Sequence, residues 1–174
     1  MIIRREKPEE FSAIYDLVKA AFQTARVSDG KEQDFVNQLR SSGNYIPELA
    51  LVAEENGKLI GHIMLTKTYI SNNGNSLETL LLAPVSVALE YRGRGIGSHL
   101  IKESFRLAKE QGYTSVVLVG DPAYYRRFGF KPLIDFGIKN INDIPDEYVM
   151  VCELVPDILH GINGTIDFET ADIQ

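Results

Sequence analysis

Leu82-Ala-Pro-Val-Ser-Val-Ala-Leu-Glu-Tyr-Arg-Gly-Arg-Gly-Ile-Gly97 is the stretch on which the fold turns. Its first half is apolar and β-branched and reads as a strand, interrupted by Pro84. Proline has no backbone donor, so inside a sheet it marks an edge or a bulge. The second half sets Gly93, Gly95 and Gly97 between that strand and a helix. Without side chains, their N–H groups can close around a bound group, and the helix N-terminus adds partial positive charge. Arg92 and Arg94 add two full charges, so the turn is a candidate phosphate or pyrophosphate site. The glycine spacing is not the dinucleotide fingerprint G-x-G-x-x-G, and no Walker lysine pattern occurs in the chain.

Downstream, Leu100, Ile101, Ser104, Leu107 and Ala108 mark one face of a helix over Gly97–Gln111, which Gly112 stops. Ser115–Val119 is apolar after its first residue and rich in β-branched valine, as in a strand covered on both faces. Asp121 and Pro122 read as the N-cap and first turn of a short helix through Arg127. Upstream, Ile2-Ile3 opens a strand that Pro8 ends. Apolar spacing then predicts a helix over Glu9–Phe22 and a second one carrying Phe35, Val36 and Leu39. Leu49–Ala53 and Leu59–Ile70 flank an Asn56-Gly57 turn, and Thr79–Leu89 is a further strand. The tail from Ile134 is mixed, with one strand at Tyr148–Leu154. This order predicts an α/β (α+β) single domain over 1–174, with a mixed, mostly antiparallel sheet flanked by helices. Its core is expected at about 1–155, with a C-terminal extension over 156–174.

Composition narrows the function. The chain has 174 residues, 44% hydrophobic and 24% charged, which suits one globular domain. A net charge of −6 disfavours nucleic-acid binding and mildly favours a cationic small molecule or basic peptide. Cys152 is the only cysteine, so no intrachain disulfide can form, and its apolar neighbours predict a buried core residue. His62, His99 and His160 are scattered without metal-ligand spacing. No apolar run approaches the ~20 residues of a membrane span, and Met1–Glu6 carries charges where a signal peptide would be apolar. The expectation is a cytoplasmic protein with no membrane and no nucleic-acid partner.

Arg92-x-x-Gly95-x-Gly97, following Val85-x-Val87, resembles the [Q/R]-x-x-G-x-[G/A] motif of the GNAT superfamily of N-acetyltransferases. Tyr125-Arg-Arg-Phe-Gly129-Phe130 resembles that family's Y-x-x-x-G-F, one strand later. The tail segment from Leu154 to Ile166 further resembles the YhbS-like subgroup. The resemblance implies the GNAT acyl-CoA N-acyltransferase fold, acetyl-CoA as co-substrate and no metal. It implies a splayed strand on which Val85, Ser86 and Val87 offer backbone groups to the pantetheine arm. The pyrophosphate would sit on the amides of Arg92, Gly93, Arg94, Gly95, Ile96, Gly97 and Ser98.

By the same resemblance Tyr125 protonates the departing thiolate and the Val87 N–H stabilises the oxyanion. The linker Gly120–Tyr124 is shorter than usual in the family and lacks its asparagine, so Tyr124 stays a second candidate. The acceptor would be a small-molecule or peptide amine, shaped by residues 24–34 and 134–148, where Asp29, Glu32, Asp135 and Asp146 suit a cation. Glu54, Glu55, Glu90 and His62 lie near the sheet, but each also reads as a surface or packing residue, so no general base is singled out. The activity implied is direct acetyl transfer to a primary amine in a ternary complex. The alternative is a non-catalytic acyl-CoA-binding module or sensor. A homodimer is common in the family, and the sequence does not decide it.

Overall fold

The structure, a computed structural model, describes residues 1–169. Strand β1 (Ile2–Arg5) leads through a 3-10 turn at Pro8–Glu10 into helix α1 (Phe11–Phe22), followed by α2 (Glu32–Ser41). Three long strands come next: β2 (Tyr45–Glu55), β3 (Lys58–Asn72) and β4 (Asn75–Val87). Helix α3 (Ile96–Glu110), β5 (Ser115–Val119) and the short α4 (Pro122–Tyr125) complete the central part. The rest supplies β6 (Lys131–Pro132), β7 (Ile138–Asn140), β8 (Val149–Glu153) and β9 (Gly164–Ile166).

The strands form one sheet in the order β1-β2-β3-β4-β5-β8-β6. β1 to β4 pair antiparallel, β5 joins β4 in parallel, and β8 runs antiparallel to β5 and β6. The Asn56-Gly57 turn between β2 and β3 has both residues at positive φ, 52° and 77°, as a tight hairpin requires. β3 is covered on both sides. Ile63 and Leu65 pack towards Ile96, Leu100 and Ile101 of α3, and Met64 packs towards Ile14, Val18, Val36 and Leu39 of α1 and α2. Burying each such side chain is worth about 1.5–3 kcal/mol, so the three helices are held by their apolar stripes. Gly61 sets how closely α3 docks: a Cβ there would stand 2.9 Å from Leu100 Cδ1.

Two sequence expectations shift. The first helix begins as a 3-10 turn at Pro8–Glu10, and the α-helix starts at Phe11. The segment beyond 155 is no appendage as far as it is described. β9 pairs with β3 at Ile70 and Ser71, and Leu159, Ile166 and Phe168 are buried in the core. Residues 170–174 of the expected extension lie outside the described residues. Cys152 is buried, 3.6 Å from the Phe128 carbonyl oxygen.

Candidate active site

The sheet opens between β4 and β5. These strands pair only at Leu80 with Val116 and at Leu81 with Val117. Leu118 and Val119 of β5 continue against β8, while Val85, Ser86 and Val87 stay paired with β3 on β4's other edge. The cause lies in β4: Ile63 faces Val85 and Leu65 faces Leu82, so β4 carries one extra residue there. Such a bulge bends its strand, and Pro84 sits inside it, as its missing donor led us to expect. The gap is a cleft of about 1100 Å³.

Strand alternation decides which peptide groups face it. The Ala88 N–H donates to the Ile60 carbonyl at 2.9 Å. The Ser86 carbonyl oxygen lies on the β3 side, 3.2 Å from where a Cβ on Gly61 would stand. Successive residues turn their N–H and C=O to opposite edges of a strand, so Val85 and Val87 present theirs to the cleft. Ser86 is a correction to the sequence reading. Its peptide groups belong to the β3 ladder, and it is its position along the cleft wall that matters.

The turn after β4 is built by backbone. Gly93 and Gly95 adopt φ of 80° and 76°, a region L side chains resist. The first backbone bond of α3 runs from the His99 N–H to the Gly95 carbonyl at 3.0 Å. The N–H groups of Ile96, Gly97 and Ser98 therefore precede the helical ladder, at its positive end. Gly93, Gly95, Ile96, Gly97 and Ser98 all line the cleft.

The two arginines part company. Arg92 lines the cleft, but its guanidinium donates to the Ala21 carbonyl at 2.6 Å and to Thr24 Oγ1 at 2.9 Å, tying the end of α1 to the turn. Arg94 is not among the lining residues; it pairs with Glu55 at 2.9 Å and lies over the Tyr91 ring. Both of the charges that the sequence sets at this turn are thus engaged, each guanidinium having a protein partner.

On the opposite wall, Asp121 caps α4 by accepting from the Ala123 N–H at 2.9 Å. That short helix sets Tyr124 and Tyr125 edge to face, centroids 5.0 Å apart, and both line the cleft. Their places differ. The Tyr124 hydroxyl reaches across to α3, 2.6 Å from where a Cβ on Gly97 would stand. Tyr125 packs against Gly120 at the end of β5 and against Phe130. Burial pushes the phenol pKa of Tyr125 up, with Tyr124 and Asp121 adding to the effect, so it holds its proton at neutral pH. Asp121 also receives Arg26 from the α1–α2 segment at 2.6 Å, which joins the two lips of the cleft.

The far end is lined by Phe22, Val27, Phe35 and Phe168 together with the acidic Asp29 and Glu32. Asp135 and Asp146 do not line it; Ile144 and Glu169 do instead. Among the base candidates, Glu54 pairs with Arg4, Glu55 with Arg94 and Glu90 with Lys58, and none of the three lines the cleft. His62 is wholly buried, with Nε2 2.9 Å from Glu6 Oε1. Among the described residues no cluster of three or more His, Cys, Asp or Glu side chains could hold a metal ion, and no helix is long and apolar enough to cross a membrane.

A sheet splayed at a bulged fourth strand, a glycine turn and a helix N-terminus define an acyl-CoA transferase scaffold. Residues 2–133 match the family described as acetyltransferase (GNAT) domain, and the chain belongs to that family. It is 31% identical over 169 residues to the uncharacterized N-acetyltransferase YhbS of Escherichia coli K12, covering 97% of this chain and 96% of that one. It is 33% identical over 127 residues to YjhQ of the same organism, covering 72% and 70% of the two chains. The crystal structure of Escherichia coli YhbS in complex with CoA superposes with a TM-score of 0.86 at 28% identity, over 99% of this chain and 92% of the other. A GNAT acetyltransferase from Brucella melitensis in complex with acetyl-CoA superposes at 0.77 with 32% identity, over 98% and 96%.

Proposed function

We propose that this acetyltransferase moves an acetyl group from acetyl-CoA directly to a primary amine, with both substrates bound together. The observation that carries the reading is the continuity of the β4 edge with the turn. Peptide groups at Val85 and Val87 face the same cleft as the N–H groups at the start of α3. A pantetheine arm could pair with the first while its diphosphate sits on the amides from Arg92 to Ser98. Two solved relatives hold CoA or acetyl-CoA, which supports the same placement here.

The Val87 N–H then lies where a thioester oxyanion develops, and a fixed donor there stabilises the transition state more than the ground state. Tyr125 supplies a proton to the leaving sulfur; a thiol pKa near 8.5 means the thiolate needs only modest help. The amine enters from the α1–α2 side, where Phe22, Phe35 and Phe168 with Asp29 and Glu32 suit a cation attached to an apolar body. The acidic composition and the single buried cysteine fit a cytoplasmic enzyme. A homodimer is left to a measurement of mass in solution.

The test is thiol release from acetyl-CoA across a panel of polyamines, aryl-alkyl amines, amino acids and peptides. Release with at least one amine, and an acetylated product of matching mass, is expected. Stoichiometric acetyl-CoA binding with no release from any of them would return the chain to a non-catalytic binding module.

A further inference from the structure

Three buried side-chain polar atoms among the described residues have no hydrogen-bond partner: His62 Nδ1, Ser86 Oγ and Thr66 Oγ1. Most buried polar groups are satisfied, so each exception asks for a reason. Two of the three belong together. His62 on β3 and Ser86 on β4 are direct partners across the strands, so their side chains project from the same face about 5 Å apart at Cβ. Thr66 lies further along β3, opposite Leu81.

Behind His62 stands a network with no loose ends. The Glu6 carboxylate accepts from Arg40 Nε and Nη2 at 2.9 and 3.0 Å, from the Tyr45 hydroxyl at 2.6 Å and from His62 Nε2 at 2.9 Å. Burial works to raise the Glu6 pKa, but the hydrogen bonds from His62, Arg40 and Tyr45 outweigh it and hold it at about 2. An ionised carboxylate can only accept, so Nε2 carries the imidazole hydrogen and Nδ1 keeps a lone pair. Burial lowers the His62 pKa, with Glu6 opposing, so the ring is neutral near pH 7. Ser86, its partner across the strands, lines the cleft beside the Val85 and Val87 peptide groups proposed to hold the thioester, and its hydroxyl and Nδ1 stand without a hydrogen bond to each other or to anything else.

We infer that Ser86 and His62 form the route by which the acceptor ammonium loses its proton, with Glu6, Arg40 and Tyr45 fixing the imidazole. The inference rests on the proposed acetyl transfer. On substrate binding the Ser86 side chain turns so that Oγ reaches the cleft and Nδ1; the ammonium donates to Oγ, directly or through one water, and the Ser86 hydroxyl passes its own hydrogen to His62 Nδ1. The neutral amine then forms the C–N bond at the thioester carbon and the C–S bond breaks. Of the three ammonium protons, one stays on the amide, one ends on the CoA sulfur by way of Tyr125, and one is held at His62 Nδ1 and returns through Ser86 to the cleft and solvent as the products depart. Removal of the ammonium from water in the cleft lowers its own pKa and eases the first transfer. The titratable and charged groups around the path are Glu6, Arg40 and the neutral Tyr45 phenol behind the ring, and on the cleft side the acidic Asp29, Glu32, Asp121 and Glu169 with the basic Arg26, Arg92 and Arg127.

Valine and threonine at position 86 differ only in a hydroxyl, which makes them the decisive pair. With the panel amine that the wild-type enzyme turns over fastest, Ser86→Val should lower kcat about a hundredfold. Its acetyl-CoA affinity should stay within about threefold, and its residual rate should climb with pH towards the pKa of the amine. Ser86→Thr should recover most of the turnover. A purely packing role moves both variants together, and equal rates for the two would overturn the relay. So would acetylated Ser86 in an intact-mass spectrum after mixing with acetyl-CoA, because the serine would then be a nucleophile. Imidazole ¹⁵N shifts of the acetyl-CoA complex test the inference without any acceptor. Nδ1 should be unprotonated and should respond to Ser86→Val; a hydrogen on Nδ1 would overturn it. Turnover by the wild type with unaffected variants sinks the relay alone, whereas no turnover with any amine sinks the proposed reaction.

Discussion

The two walls of the cleft are made of different material. One, from Val85 to Ser98, presents peptide groups, and side chains are kept away by glycine. The other, from Val119 to Phe130, presents aromatic rings: Tyr124, Tyr125 and Phe128 stack edge to face on a helix of four residues and the turn after it. A backbone wall holds its geometry through dihedral angles that substitution cannot readily restore. A side-chain wall can adjust its rotamers, and is suited to the part of the reaction where a proton must move. The walls meet where the Tyr124 hydroxyl occupies the space that a Cβ on Gly97 would need.

That contact gives the largest expected effect. Gly97→Glu sets a carboxylate on the N–H groups at the start of α3 and displaces Tyr124, so acetyl-CoA affinity should fall by at least about 3 kcal/mol, or about a hundredfold. Calorimetric titration measures this, and wild-type affinity would remove the diphosphate from this turn. Gly97→Ala sharpens the comparison, since it intrudes on Tyr124 without a charge. If the clash with the hydroxyl is what costs affinity, Tyr124→Phe should relieve part of it, and the double-mutant cycle should show coupling of about 0.5 kcal/mol or more. Gly95→Ala meets nothing within 4 Å, and its left-handed strain, about 1 kcal/mol, should appear in thermal stability with no coupling to Tyr124.

Next comes the aromatic wall itself. Tyr125→Phe should lower kcat about tenfold to a hundredfold and leave acetyl-CoA affinity unchanged, the split expected for a group that acts in the transition state. The same loss from Tyr124→Phe, with Tyr125→Phe silent, would exchange their roles. Because burial raises the Tyr125 pKa above its ordinary value of 10, the alkaline limb of kcat should not appear below pH 10 if Tyr125 is the acid.

The difference between the walls also explains what the sequence disclosed. The backbone wall was legible because Gly93, Gly95 and Gly97 before an amphipathic helix, and Pro84 inside an apolar strand, are local constraints on local geometry. Ser86 was misassigned because its orientation depends on where the bulge resets the alternation, which a proline announces but does not count. The charges of Arg92 and Arg94 were legible but their partners were not, because Ala21 and Glu55 lie 71 and 39 residues away. The Glu6 network was invisible for the same reason: its members come from β2, β3, α2 and the residue after β1, and only the folded sheet brings them together. The tail carried no strand signal at Gly164–Ile166, since a three-residue strand pairing at an edge leaves no periodicity to read.

Acid exposes that network. The Glu6 pKa is held below its ordinary 4.5 at about 2, so it contributes stability that is present above about pH 4.5 and lost as pH falls towards 2. His62 is lowered from 6.5 by burial, so the unfolded chain binds its proton first and stability begins to fall below about pH 6.5. Glu6→Gln leaves Arg40 without its carboxylate and should cost about 3 kcal/mol at pH 7, while flattening the pH dependence of unfolding between pH 5 and 2. Urea denaturation at several pH values reads both, and an unchanged slope would mean that the acid sensitivity lies elsewhere.

The smallest effects separate the two arginines of the turn. Arg92 is hydrogen-bonded to the last turn of α1 and to Thr24, so Arg92→Ala should cost about 1 kcal/mol of stability and loosen the α1–α2 side proposed for entry of the amine. The acceptor KM should therefore rise more than the acetyl-CoA Kd, by about threefold to tenfold. Arg94 makes an exposed pair with Glu55, and such pairs are worth about 0–1 kcal/mol, so Arg94→Ala should change stability by less than about 0.5 kcal/mol. If its side chain stays with Glu55 when the cofactor binds, acetyl-CoA affinity should move less than about threefold, and Glu55→Gln should be equally quiet. A tenfold loss from Arg94→Ala, with Glu55→Gln raising affinity, would mean that the guanidinium leaves Glu55 for the diphosphate. The backbone wall would then owe part of its grip to charge after all.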